Sequence, residues 1–468
     1  MGILAFAAKN GVGTSNVPYL EHPQNDAARD APSPHQQGFA MGTHVMETSM
    51  HSGNIRKSRR FMKTVAACAA SAAFSIGAHA ASAPSEITIG TLYASTGPFA
   101  VASLGQYEGL EFWANDVNKQ GGVFVKAYGK KIPVKIVAYD DQSSTSTATT
   151  LYNQLITQDK VDLLVADFGS VLTSVAVPLA AEHHMLLIDP TGSGANFFTQ
   201  KTDYLADVSI PSSTVWPVPL ANFLLKQKIK RVAIIYGAND FDASQAETMK
   251  AELIKGGVTP VYYHSVPTTE SNYNVLLHTA KAADPQALLE FGYAPNDIAF
   301  LRQLSQSGLH FDMTFTIFPG QLLQLLTKDA GADALAYTYT YPTPPLVKYD
   351  KVSYGMNTAQ FAQAFQAAQH KDPTFLDSAG YNTGIVMQKM LGDAPQFTQT
   401  DFHQALMDMS GKTTTLLGAF EINANGAQLG QPFPVAQMVP DGNKGLKFVV
   451  VYPQAHATGK PVYPAPTH

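Results

Sequence analysis

Cysteine, charge and tryptophan are all scarce in this 468-residue chain, which holds one Cys, two Trp and only 14% charged residues. A lone cysteine excludes an internal disulfide, a thiolate metal cluster and a dithiol redox pair. It is Cys68, inside a segment expected to be removed, so the mature chain is expected to lack a cysteine nucleophile as well. The net charge of −5 leaves no excess of Lys and Arg to neutralise phosphates, which sets nucleic acid aside as a partner. Beyond residue 85 no run approaches 18 apolar residues, so no spanning helix is expected there.

Catalytic and metal signatures are missing too. Ser410-Gly411-Lys412-Thr413 has the end of a phosphate loop, but the glycine required five places earlier is Leu406, and an ordinary turn explains it better. Gly192-Ser193-Gly194 lacks the further glycines of a nucleophile elbow or dinucleotide fingerprint. The adjacent His183 and His184 point to different helical faces and make a poor metal pair. Asp140-Asp141 reads more simply as a strand exit feeding a helix start. No metal, no cofactor and no catalysis are expected.

What is present is a core: 45% of the residues are hydrophobic, enough for two or three packed domains. Residues 1–54 are rich in Gly, Pro, Ser, His and Asn without apolar period, and read as disordered or as an over-extended start. Residues 55–80 read as a signal peptide. Arg56, Lys57, Arg59, Arg60 and Lys63 form the charged end, Thr64 to Gly77 the apolar stretch, and Ala78-His79-Ala80 the cleavage site, so export to the periplasm is expected. A lipobox at Val65-Ala66-Ala67-Cys68 has almost no apolar run before it, and a twin-arginine signal at Ser58–Lys63 is one residue short; either route also ends outside the cytoplasm.

From Glu86 onward β-rich runs alternate with amphipathic stretches. Strands are expected at 87–92, 132–139, 161–166 and 185–188, with helices at 102–118 and 147–158 between them. After 205–210 the pattern restarts with strands at 231–236, 260–265, 287–291 and 314–317 and helices at 243–255, 274–283 and 296–307. Such alternation implies parallel sheets with crossover helices. Strands apolar throughout imply sheets covered on both faces. The restart suggests two doubly wound α/β lobes, whose ligands sit beyond the carboxyl ends of the strands.

At those strand ends the sequence resembles the leucine/isoleucine/valine-binding family of periplasmic solute-binding proteins. The likeness is carried by Ile89-Gly90 through Thr96-Gly97-Pro98 with Gly105 and Gly109, and by Val137-Ala138-Tyr139-Asp140-Asp141. It continues in Gly169-Ser170 through Thr173, in Ile188 to Ser193, and in Phe291-Gly292-Tyr293 before Leu301-Arg302-Gln303. In order and spacing it covers roughly residues 86–450. The resemblance implies a type I periplasmic-binding-protein fold, two parallel-sheet lobes joined by three crossover segments. Lobe 1 is then 86–207 plus 343–425, and lobe 2 is 208–342 plus 431–468. It further implies capture of a small polar ligand by hinge closure, delivery to inner-membrane ABC permease subunits, and a monomer.

Carried over residue by residue, the resemblance makes Ser170 and Ser193, with Thr191 beside them, the cradle for a carboxylate. Short hydroxyls and free N–H groups at a helix start suit an anion. Phe241 and Tyr293 fall where aromatic residues close over the ligand, and Tyr93 and Trp216 are further wall candidates. One departure stands out. Where amino-acid binders place an acid for the ligand's ammonium, this chain reads Phe318-Pro319-Gly320-Gln321. An amino acid held by some other acid, an aromatic or other carboxylate, and an amide therefore all stay open as ligands. A periplasmic ligand sensor, and less favourably an exported enzyme, are the rival classes.

Overall fold

The computed structural model describes residues 82–349, 351–442 and 445–467; the expected signal peptide, Cys68 and the residues before them lie outside that range. Apolar runs form the inner strands of the two large sheets, and most of these strands are followed by a helix. Strand β1 (Ile87–Tyr93) leads to helix α1 (Ala100–Lys119), a short hairpin of β2 (Val123–Val125) and β3 (Lys130–Ile132), then β4 (Val134–Asp140) and α2 (Thr145–Thr157). The series β5 (Leu163–Val165), α3 (Gly169–Glu182), β6 (Leu187–Asp189) and β7 (Leu205–Asp207) completes a five-stranded sheet of order β4-β1-β5-β6-β7. All its pairings are parallel.

The chain then builds a second sheet. Helix α4 (Pro217–Lys226) precedes β8 (Val232–Gly237), α5 (Asp240–Lys255), β9 (Tyr262–Val266), α6 (Asn274–Ala282) and β10 (Ala287–Phe291). Next come α7 (Ala294–Ser307), β11 (Met313–Phe315), α8 (Leu323–Ala330), α9 (Ala332–Leu335) and β12 (Tyr339–Thr340). Helices α10 (Thr358–Gln369), α11 (Phe375–Asp393) and α12 (Gln399–Met409) and the hairpin β13 (Thr413–Thr415) and β14 (Gly418–Phe420) follow. Strands β15 (Val435–Pro440) and β16 (Leu446–Tyr452) then join the second sheet, whose order is β16-β15-β12-β11-β10-β8-β9. We call the layers around the first and second sheets lobe 1 and lobe 2.

Helix α11 packs on α1, which ties the late helices to lobe 1. At their crossing a Cβ on Gly380 would lie 1.8 Å from the Gln106 carbonyl oxygen, so only glycine permits that approach. The expectation of purely parallel sheets needs one correction: β15 pairs antiparallel with β12, and β16 with β15. Strands β15 and β16 follow one another in sequence and need no crossover helix, whereas β12 and β15 are separated by α10 to α12, and β16 stays partly exposed. The β2–β3 hairpin was also not expected. Pro133 separates Ile132 in β3 from β4, where a single strand had been read.

In each sheet the chain order reverses once, beside β1 and β5 in lobe 1 and beside β8 and β10 in lobe 2. Crevices at such switch points, beyond the strand ends, are where open α/β sheets hold ligands.

Candidate functional site

The turns leaving β5, β8 and β10 converge between the lobes. Phe168, Gly169 and Thr191 from lobe 1 meet Phe241, Tyr293, Phe318 and Gln321 from lobe 2, with Ile210, Trp216 and Phe375 completing the wall. The enclosed space is only about 10 Å³, room for about one water. A larger guest must part the lobes.

The lobe 1 side is made of polar backbone held from behind. Asp167, fully buried after β5, accepts from Ser103 Oγ and from the Phe168 N–H, each at 2.6 Å. Gly169 then takes φ +75°, a left-handed conformation natural to glycine, and opens α3. Its N–H donates to Thr191 Oγ1 at 3.0 Å, and Thr191 Oγ1 donates to Gln106 Oε1 at 2.6 Å. The Thr191 and Gly192 N–H groups both donate to Asp189 Oδ1, at 3.1 and 2.7 Å. Ser170 Oγ accepts from the Gly194 N–H at 2.9 Å, which leaves its own proton free to donate. Ser193 Oγ pairs with Ser213 Oγ at 3.0 Å.

The lobe 2 side is made of rings. Tyr293 reaches across to lobe 1, its ring centre 5.1 Å from Phe99 and 6.0 Å from Phe168, with Phe241 at 5.2 Å and Phe318 at 6.1 Å on its own side. Its hydroxyl faces the Ser170 and Val171 N–H groups in the first turn of α3, yet closes no well-formed hydrogen bond. Burial, with the nearby Asp242 carboxyl, pushes that phenol above its ordinary range. Trp216 donates from Nε1 to the Pro211 carbonyl at 2.5 Å and stands edge-on to Phe241, Tyr341 and Phe433. Asp297, in the first turn of α7, accepts from the Phe318 N–H at 2.6 Å and so fixes the turn carrying Phe318 and Gln321.

Seven buried carboxyls stand behind these walls: Asp141, Asp167, Asp189 and Asp207 in lobe 1, and Asp242, Glu290 and Asp297 in lobe 2. Among the described residues none of the seven makes a salt bridge to Lys or Arg. Burial raises the pKa of each, that of Asp189 to about 7. Asp141 beside Asp167, and Glu290 beside Asp297, add like-charge repulsion to burial in raising Asp167 and Asp297.

Of the seven residues expected at the site, Thr191, Phe241, Tyr293 and Trp216 line the enclosed space. Ser170 and Ser193 are buried but do not line it, and Tyr93 stands apart, stacked on Tyr107 with ring centres 4.9 Å apart. Phe168, Ile210, Phe318 and Phe375 line the space but were not anticipated. Phe168 sits beside Gly169-Ser170 and was within reach of the motif; Phe375, about 200 residues away in sequence, had no local signal. Gln321 had been noted only as the absence of an acid.

The periplasmic binding protein family profile matches residues 86–444. The chain belongs to that family. Leu/Ile/Val-binding protein homolog 3 of Brucella melitensis is 28% identical over 234 residues, 49% of this chain and 61% of that protein. The matched stretch is thus less than two thirds of the relative's length. The fold agrees with solved structures. A leucine binding protein from Thermotoga maritima superposes with a TM-score of 0.67 at 16% identity, covering 79% of this chain and 99% of that one. A Rhodopseudomonas palustris ABC-transporter solute-binding protein in complex with benzoate gives 0.63 at 17% identity, covering 79% and 98%.

Proposed function

We propose that this protein is the capture component of an ABC importer, exported to the periplasm, which closes its two lobes on a small organic carboxylate. The observation that carries this reading is the first turn of α3. There, the Ser170 and Val171 N–H groups and the free Ser170 proton face Tyr293 across the cleft. A helix start with open N–H groups favours an anion. The carboxylate rests on Ser170, Thr191, Ser193 and the adjoining backbone. The body of the ligand lies among Phe241, Tyr293, Trp216 and Phe318, and the Tyr293 hydroxyl, orphaned in the protein, donates to the anion. The function is capture without chemistry, and the closed form is then read by permease subunits.

The relatives support both ligand families, since one is named for leucine, isoleucine and valine and a structural neighbour holds benzoate. The aromatic lining and the absence of a carboxylate from it favour an aromatic or other non-amino carboxylate. The test is thermal unfolding of residues 81–468 with amino acids, aromatic acids, aliphatic acids and amides. A ligand at ~100 times its Kd adds about 2.7 kcal/mol. A carboxylate is expected to raise the Tm, and Ser170→Ala with Ser193→Ala to weaken it at least roughly tenfold. A folded protein that no carboxylate stabilises would end this reading.

A further inference from the structure

Gln321 brings a polar side chain into a wall otherwise built from rings, Ile210, the Gly169 backbone and Thr191. It is 6% exposed, and its side-chain amide nitrogen is buried with no hydrogen-bond partner. An orphaned buried donor is costly, and so points to a partner supplied from outside the fold. The turn that carries it is pinned on both sides. Asp297 holds the Phe318 N–H, and the Gly320 N–H donates to Thr340 Oγ1 at 2.9 Å. No acid lines this wall: Asp242 and Asp297 stand behind it, Asp242 taking a bond from Asn239 and Asp297 one from the Phe318 N–H. A ligand ammonium brought here would touch no carboxylate in the lining, whereas an uncharged oxygen would find a donor.

We propose that Gln321 is the specificity-determining residue of the cleft, and that it selects carboxylates whose ring bears a hydroxyl or carbonyl oxygen and no amine. Resting as it does on the capture reading above, the proposal adds the second recognition point. Lobe 1 takes the carboxylate, the rings take the aromatic body, and the Gln321 amide takes the ring oxygen. An amide both donates and accepts, so it suits a hydroxyl in either orientation. A site built to hydrogen-bond a ligand hydroxyl discriminates strongly against the analogue lacking it.

Calorimetric titration of residues 81–468 with benzoate, the three hydroxybenzoates and L-phenylalanine tests it. The best hydroxybenzoate is expected to bind roughly tenfold or more tighter than benzoate, with L-phenylalanine weakest. Gln321→Met, which keeps the length and removes the amide, should bring that hydroxybenzoate to within roughly threefold of benzoate while benzoate itself barely changes. Gln321→Leu serves as a second apolar variant, and a urea transition of unchanged m-value shows that each variant has folded. Equal affinity for benzoate and the hydroxybenzoates in the unaltered protein overturns the inference and leaves the capture reading standing. So does a preference that survives both variants, or tighter binding of L-phenylalanine. Failure of every carboxylate ends the capture reading and this inference with it.

Discussion

Lobe 1 and lobe 2 are both wound about a switch point in a largely parallel sheet, yet they face the cleft with different materials. Lobe 1 offers backbone N–H groups and hydroxyls wired to Gln106, Asp167 and Asp189. Lobe 2 offers Phe241, Tyr293 and Phe318, with one amide, Gln321. Lobe 1 is therefore suited to hold charge by fixed dipoles, and lobe 2 to supply flat apolar area. Polar networks are unforgiving of a lost partner, while apolar walls tolerate swaps of similar volume. The two halves of the site should thus respond differently to the same kinds of perturbation.

The largest effect expected is on pH, where the lobes should behave alike. Asp189 lies in lobe 1 with its pKa raised by burial from 3.8 to about 7. Between those values the unfolded chain has lost a proton that the folded chain keeps. The contribution to stability is therefore greatest below pH 3.8, falls as pH rises, and is fully lost above about 7. A three-unit shift corresponds to about 4 kcal/mol as an upper bound. Asp189→Asn keeps an acceptor for the Thr191 and Gly192 N–H groups and should flatten that slope in urea melts between pH 4 and 8. Glu290 in lobe 2 is raised in the same direction, again chiefly by burial, so Glu290→Gln should flatten the slope as well. A slope that changes in only one variant would break the symmetry between the lobes.

Paired substitutions should then separate the two walls. Thr191→Val strands the Gly169 N–H and Gln106 Oε1, two buried polar atoms, at about 2–4 kcal/mol. Phe318→Met on the facing wall should cost less than about 1.5 kcal/mol. Urea midpoints with unchanged m-values would report both.

Tyr293→Phe sharpens the contrast in affinity rather than stability. Its hydroxyl has no well-formed partner within the protein, so losing it should leave stability unchanged or raise it by up to about 1 kcal/mol. Carboxylate affinity should fall about tenfold. A loss of stability with affinity unchanged would make the hydroxyl a structural group and remove it from the cradle.

The alternation of elements was legible because both sheets are covered on both faces, which writes each inner strand as an unbroken apolar run. Turns after strands were legible where glycine and serine gather, as at Gly169-Ser170 and Thr191 to Ser193. What sequence could not convey is what tertiary packing decides. Phe375 enters the wall from α11, whose place beside α1 is set by a helix crossing, and β15 joins β12 antiparallel through residues nearly a hundred positions apart. The buried carboxyls show the same limit. Glu290 and Asp297 look like ordinary acids near a helix start, and only the fold buries them close enough for each to bear on the other's charge.

Tyr93 is the case where expectation and geometry part, and there the smallest effect is expected. It ends β1, one of the switch-point strands, so strand order alone places it at the cleft mouth. Yet its ring stacks on Tyr107 at an interplanar angle of 25° and does not line the enclosed space. Tyr93→Ala should therefore lose a partly exposed aromatic pair, about 0.5–1.5 kcal/mol of stability. Carboxylate affinity should stay within roughly twofold, because no atom of the cradle changes. A tenfold loss of affinity would mean that the lobes close further on a ligand than they stand in this structure, bringing the mouth of lobe 1 into the wall.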